Sequence, residues 1–193
     1  MEYYQAQLEH HVERGGLEED FKLDDQDCVL IQQEAIQYYH RYLCLFHLED
    51  YKRAARDTAR NLRVFDLVKR YAAEESNKWA LDQFRPYVIM MYTKAQLIIC
   101  TSQQRYEQAI EYIEEGIVLI EEFFKEYKVP DQIEKSQEIA LLREWLEEVQ
   151  KNQTPDLRQE LQERMQQAVE QEAYEEAARL RDQIRRLDRD KLG

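Results

Sequence analysis

The sequence predicts an all-α protein: stacked antiparallel helical hairpins followed by a smaller αα-hairpin toward the C-terminal end. Three observations carry this. Four Gly and three Pro in 193 residues leave few helix breakers, while Glu, Gln, Ala, Leu and Arg, all good helix formers, are abundant. Apolar residues recur three and four positions apart along nearly the whole chain. Part of the chain also repeats itself after a shift of 55 residues, which lays Tyr51 onto Tyr106.

The elements follow in order. Residues 1–14 suit a short amphipathic helix with Tyr3/Tyr4, Leu8 and Val12 on one side, ended by Gly15-Gly16. Residues 17–27 are acidic and irregular, with Phe21 and Leu23 as anchors, and Asp24-Asp25-Gln26-Asp27 offers N-cap oxygens for the next helix. That helix spans about 28–48. Its apolar arc of Val29, Ile31/Ile36, Ala35, Tyr39, Leu43 and Phe46 is wide enough to predict that it is largely buried. After a tight turn, a helix over 51–73 carries Ala54/Ala55, Thr58, Leu62, Phe65 and Val68. Glu74–Asn77 reads as a break. Trp79, Leu81 and Phe84 lead to Pro86, where a helix starts or kinks, since proline fits a first turn and not a helix interior. That helix ends at about Ser102. Tyr106–Tyr127 forms the next, with Ala109/Ile110, Ile113, Ile117, Ile120 and Phe124 marking its face and Lys128-Val-Pro130 stopping it. A further long helix over 132–151 presents Ile133, Ile139, Leu142, Trp145/Leu146 and Val149 to the stack. Asn152-Gln-Thr-Pro155, polar and marked by proline, separates a body at 1–153 from an appendage at 154–193.

In the repeat, Leu43-Cys44-Leu45 overlies Ile98-Ile99-Cys100, Tyr51-x-x-Ala54 overlies Tyr106-x-x-Ala109, and Leu62 overlies Ile117. A helix, a short turn and Tyr-x-x-Ala opening the next helix resemble the turn region of a tetratricopeptide repeat, where the small Ala lets two antiparallel helices pack closely. Tyr42 and Leu97 depart from it, standing where that family has the small residue of its first helix, and the helices exceed those of a 34-residue unit. The expectation is a TPR-like helical body.

Charge narrows the partners. The formal net charge of −13 repels phosphate backbones, so direct nucleic-acid binding is not expected. The final residues are a local exception: Arg179, Arg181, Arg185, Arg186, Arg189 and Lys191 outnumber Asp182, Asp188 and Asp190. Cations there oppose the dipole of a helix C-terminus. Cys28, Cys44 and Cys100 are scattered and odd in number, which favours a reducing cytoplasm over a disulfide framework. Met1-Glu-Tyr-Tyr lacks the basic start and apolar run of a secretory signal. The longest apolar stretch, 87–100, is broken by Thr93, Lys94 and Gln96 and is too short to span a bilayer. A cytoplasmic protein without membrane attachment is the expectation.

No catalytic constellation is present. The chain has no Gly-rich phosphate loop, no GxSxG, no HExxH and no Cys-x-x-Cys. No cofactor is expected, and an enzyme is not. His40, Cys44 and His47 share one helix face, a spacing open to zinc with His10 or His11 as a fourth ligand. The apolar residues around them make core packing the better reading, so no metal is expected. Tyr38, Tyr39 and Tyr42, with Tyr51 near their helix end, and Tyr92, Tyr106 and Tyr112 form two tyrosine clusters. They read either as boundary residues of the core or as a peptide groove.

The most informative run is the last fifth. Leu157, Leu161, Met165 and Ala168/Val169 make one apolar stripe; Tyr174, Ala177/Ala178, Leu180, Ile184 and Leu187 make a second, and Ala177-Ala178 lets two backbones approach. The Tyr-Glu-x-Ala-Ala-x-Leu-Arg-Asp-x-Ile core, with Leu161, Met165 and Ala168 before it, resembles the UVR motif, the helical hairpin of the excision-repair proteins UvrB and UvrC. Ala173 departs from it, standing where that family often has a polar cap for the second helix. The resemblance implies a protein–protein contact element, found in excision repair and in quality-control proteins such as activators of arginine kinases and adaptors of Clp proteases. Leu161, Met165, Tyr174, Ala177, Leu180, Arg181, Ile184 and Leu187 would be its partner-binding residues. The expected function is a non-catalytic adaptor, possible in quality control. The alternatives are a homodimer formed through the hairpin and an accessory factor of nucleotide excision repair.

Overall fold

Asp24 opens the main stack. Its carboxylate accepts the Asp27 N–H at 2.8 Å while Asp27 returns a bond to the Asp24 N–H, a capping box that satisfies two otherwise orphaned donors at the start of α2 (Asp25–His47). The computed structural model describes residues 2–153, 157–171 and 173–190. Before α2 lie α1 (Glu2–Glu13) and a single 3-10 turn at Glu18–Asp20. After it come α3 (Tyr51–Tyr71), α4 (Glu75–Asp82), α5 (Arg85–Thr101), α6 (Tyr106–Glu126) and α7 (Gln137–Gln153), then α8 (Leu157–Glu170) and α9 (Tyr174–Asp190). The fold is all-α, with no strand among the described residues. The chain divides into two compact units, residues 1–146 and 147–193.

In the first unit α2 packs on α3, α3 on α5, and α5 on α6. The two hairpins of the 55-residue repeat close in the same way. Asp50 N–H donates to the Leu45 carbonyl at 2.9 Å, and Arg105 N–H to the Cys100 carbonyl at 3.0 Å. The preceding residues, Glu49 and Gln104, are left-handed at φ 58° and 57°. Ala54 and Ala109, one turn into the following helices, are both fully buried. The backbone thus repeats at the register read from the sequence. Lys128, at φ 58°, ends α6 with the same closure, Val129 N–H to the Phe124 carbonyl at 2.9 Å.

Three local expectations are corrected. α2 is not largely buried: Cys28, Ile31, Ala35, Tyr42 and Leu45 point inward, while Val29, Leu30 and Ile36 stay about half exposed. Its partners α3 and α4 cover one side of it, so a wide apolar arc finds only a narrow cover. The break expected at Glu74–Asn77 falls earlier, at residues 72–74, because α3 ends at Tyr71 and α4 starts at Glu75. The helix expected from 132 starts at Gln137, after a 3-10 turn at Pro130–Gln132. Ser136 Oγ accepts the Ile139 N–H at 3.3 Å and serves as its cap.

The remaining anchors fall where expected. Gly15 is left-handed at φ 85° and ends α1. Leu23 is fully buried and exchanges backbone bonds with α3's end, Leu23 N–H to the Tyr71 carbonyl at 2.8 Å and Ala73 N–H to the Leu23 carbonyl at 3.1 Å. Phe21 stands edge-on to Tyr71 at 5.4 Å. Pro86 occupies the first turn of α5, whose Val88, Ile89, Met90, Met91 and Ala95 are buried. Gly116 on α6 meets this helix so closely that a Cβ there would lie 2.5 Å from Thr93 Oγ1.

Candidate functional site

The C-terminal hairpin is built from the two stripes the sequence shows. Leu161 and Ala168 of α8 meet Ala177 and Leu180 of α9, all four buried, with Met165, Ala173 and Ile184 packed against them. The seam is thin: burying each leucine is worth about 2 kcal/mol, and the alanines contribute chiefly by letting the backbones approach. At the turn Ala173 replaces the polar cap with backbone bonds, its N–H donating to the Ala168 carbonyl at 2.8 Å and its carbonyl accepting from Ala177 at 3.1 Å.

The eight residues expected to bind a partner therefore separate. Leu161, Ala177 and Leu180 are spent on holding the hairpin together, with Met165 and Ile184 half-buried beside them. Tyr174 does not join the seam; it is 65% exposed. As the first residue of α9 it has its side chain directed back past the helix end, with no turn of its own to lie on. Val169 is also exposed. Arg181 is half exposed and donates to Asp182 at 3.1 Å. Leu187 lies on α9, but its side chain is outside the described residues. Among the described residues, the outward surface of the hairpin includes Val169, Tyr174 and a charged face with Glu175, Glu176, Arg179 and Arg181.

A second feature belongs to the first unit. A cleft of about 760 Å³ is lined by six helices, with Tyr39 and Tyr42 from α2, Trp79 from α4, Tyr87 from α5, Phe124 from α6 and Glu138 from α7 among its walls. Tyr39 and Tyr42 stand edge to face at 5.5 Å, and the Tyr87 ring is tilted against Tyr39 at 6.3 Å. Tyr42 is fully buried and its hydroxyl has no hydrogen-bond partner among the described residues. Burial, with Tyr87 and Tyr39 nearby, raises its pKa well above the usual phenol range. The two sequence clusters of tyrosine thus split. Tyr39 and Tyr42 reach the cleft, Tyr38 lies beneath Arg41 and Arg60, Tyr51 pairs with Phe46, and Tyr92 pairs with Tyr112 at 6.3 Å. Tyr106 is half-buried at the start of α6.

Beside the cleft runs a charge network that hydrophobic periodicity does not reveal. Asp82, fully buried, is bonded by Arg85, contacted by Lys69 at 3.3 Å, and accepts the Tyr127 hydroxyl at 2.7 Å. Arg85 also reaches Asp66 at 2.8 Å, and Lys69 reaches Glu126 at 2.6 Å. Asp57, likewise buried, takes two bonds from Arg41 at 2.5 and 2.6 Å and one from Arg56 at 3.2 Å. Burial would raise the Asp57 pKa, but the arginine hydrogen bonds outweigh it and the carboxyl is held below its usual range.

His40, Cys44 and His47 lie on the exposed side of α2, not in the core packing the sequence favoured. His11 is turned to the Leu17 carbonyl at 3.0 Å. No three His, Cys, Asp or Glu residues among the described ones are grouped to hold a metal. Burial pushes the Cys28 thiol up to about 11 and raises Cys100 too, which leaves both poor nucleophiles. No described helix is long and apolar enough to cross a membrane.

No curated protein and no solved structure matches the chain. Residues 156–190 match the family model of the UvrB/uvrC motif, UVR, and the span coincides with α8 and α9; this hairpin is a UVR motif.

Proposed function

We propose that the protein is a non-catalytic adaptor whose UVR hairpin docks a partner protein in the cytoplasm, in a quality-control setting. The observation that supports it is the UVR match falling on a hairpin whose seam is closed internally while Tyr174 and Val169 remain outside. A closed seam leaves an outward surface free for a different chain, and an exposed aromatic is the kind of residue that anchors protein interfaces. The buried carboxylates Asp57 and Asp82 of the first unit are held by arginine and lysine partners, which supports a scaffold rather than an enzyme. Homodimerisation through the hairpin is the alternative, with an accessory role in excision repair as a third reading.

The test uses immobilised full-length protein and purified candidates from the same source: a Clp-type unfoldase, an arginine kinase, UvrB and UvrC. Capture of the unfoldase or the kinase, reduced at least tenfold by Tyr174→Asp with unchanged helical circular dichroism, is the expected result. Capture of UvrB or UvrC alone moves the function to excision repair. Capture of none of the four overturns the reading. Leu180→Asp is not a clean probe, because Leu180 is buried in the hairpin.

A further inference from the structure

The first unit carries a site that the UVR hairpin does not account for. The cleft of about 760 Å³ is within the size range of small-molecule pockets and is walled mainly by aromatic rings. Two polar features stand on it. Tyr42 lines the cleft, and its hydroxyl is fully buried and without a hydrogen-bond partner, a cost of about 1–3 kcal/mol that a ligand atom admitted by a small shift of the ring would remove. Glu138, half-buried on the wall, accepts from the Ser136 hydroxyl at 2.8 Å and has no cation beside it among the described residues. The neighbouring cations are ion-paired elsewhere, Arg85 with Asp82 and Asp66 while its buried Nη2 keeps no hydrogen-bond partner among the described residues, and Lys69 with Asp82 and Glu126. The cleft therefore combines π-faces, one uncompensated carboxylate and one orphaned phenol in a chain of net charge −13.

We propose that this cleft binds a small organic cation, an alkylated ammonium on a short stem that carries one hydrogen-bond acceptor. The ammonium sits against the rings and Glu138, and the acceptor takes the Tyr42 hydroxyl. A weakly hydrated alkylammonium suits such walls because the rings attract its charge without requiring the water it would lose to a carboxylate cage. A neutral ligand of the same shape would satisfy the phenol and leave Glu138 uncompensated. An organic anion would face Glu138 directly.

Choline and its neutral isostere 3,3-dimethylbutan-1-ol serve as probes, titrated into full-length protein by calorimetry and by the fluorescence of tryptophan, since Trp79 lines the cleft. Choline is expected to bind at least tenfold more tightly than the isostere. Glu138→Gln is expected to weaken choline at least fivefold while leaving the isostere unchanged. Tyr42→Phe is expected to weaken both about fivefold and to raise the melting temperature of the free protein, because it deletes a buried hydroxyl that bonds to nothing. Equal binding of the two probes overturns the proposal. So does no binding of choline to protein with a native melting transition, or choline binding that survives both substitutions. None of these outcomes depends on the hairpin, so they leave the adaptor reading untouched.

Discussion

Glu49 and Gln104 are non-glycine residues held in the left-handed region, where an L side chain crowds the following carbonyl at about 1–2 kcal/mol. Both are followed by the same closing hydrogen bond, so neither turn can relax without opening its hairpin. Glu49→Gly and Gln104→Gly should each stabilise the protein by about 0.5–1 kcal/mol, the strain relieved minus the larger entropy of an unfolded glycine. Urea denaturation of the two variants and their double reads this out, with near-additive gains expected for separate turns. Asp57 tests the opposite kind of residue. Its pKa is lowered in the folded state, so its contribution is present above the unfolded value near about 4 and is lost as pH falls through the lower, folded one. Asp57→Asn should cost about 2 kcal/mol at pH 7, less than a fully buried pair because the Arg41 side chain is 46% exposed. The loss should shrink as pH falls below about 4, where the wild-type carboxylate itself comes to protonate, as melts at decreasing pH would show.

At the scale of elements, Gly116 sets how near α5 and α6 can come. Replacing a helical glycine by alanine ordinarily gains about 1 kcal/mol of helix propensity. Here the added methyl would meet Thr93 Oγ1 at 2.5 Å, with Leu142 3.4 Å away. Gly116→Ala should therefore destabilise by about 1–3 kcal/mol, and Thr93→Ala in the same chain should recover part of the loss. An isolated glycine inside a helical pattern was the signal for this contact, and it could have been read from the sequence. The turns could be read too: Tyr-x-x-Ala at Tyr51 and Tyr106 marks the closure because the small residue must sit where two helices converge. The sides of α2 could not, because an apolar arc says which residues tolerate burial and not how much cover its neighbours provide. Tyr174 misled for a related reason. Its spacing places it on the α9 stripe, while its position at the helix start takes its side chain off the seam.

For the whole molecule, the least legible part was the polar core. Asp57, Asn61 and Asp82 have the composition of a solvated face, and only the assembled stack shows Arg41, the Ala35 carbonyl and Arg85 meeting them. Apart from Arg85, three residues after Asp82, these partners lie far along the chain on another helix, so no local period encodes them. The UVR hairpin was legible because its packing is local, two stripes joined by a short turn. Its closed seam also bears on assembly. With Leu161 and Leu180 already buried within one chain, the seam itself is not available for self-association, and a net charge of −13 opposes it. Light scattering of the full-length protein should give a mass near 23.5 kDa at low salt. Twice that value, reduced to one by Tyr174→Asp, would favour the homodimer over the adaptor. The paired backbone bonds of Leu23 have a different consequence. Those two bonds tie the segment before α2 to the end of α3. The amide protons of Leu23 and Ala73 thus form a built-in gauge: their exchange with deuterated solvent reports when that N-terminal arm lifts, separately from the melting of the helices beneath it.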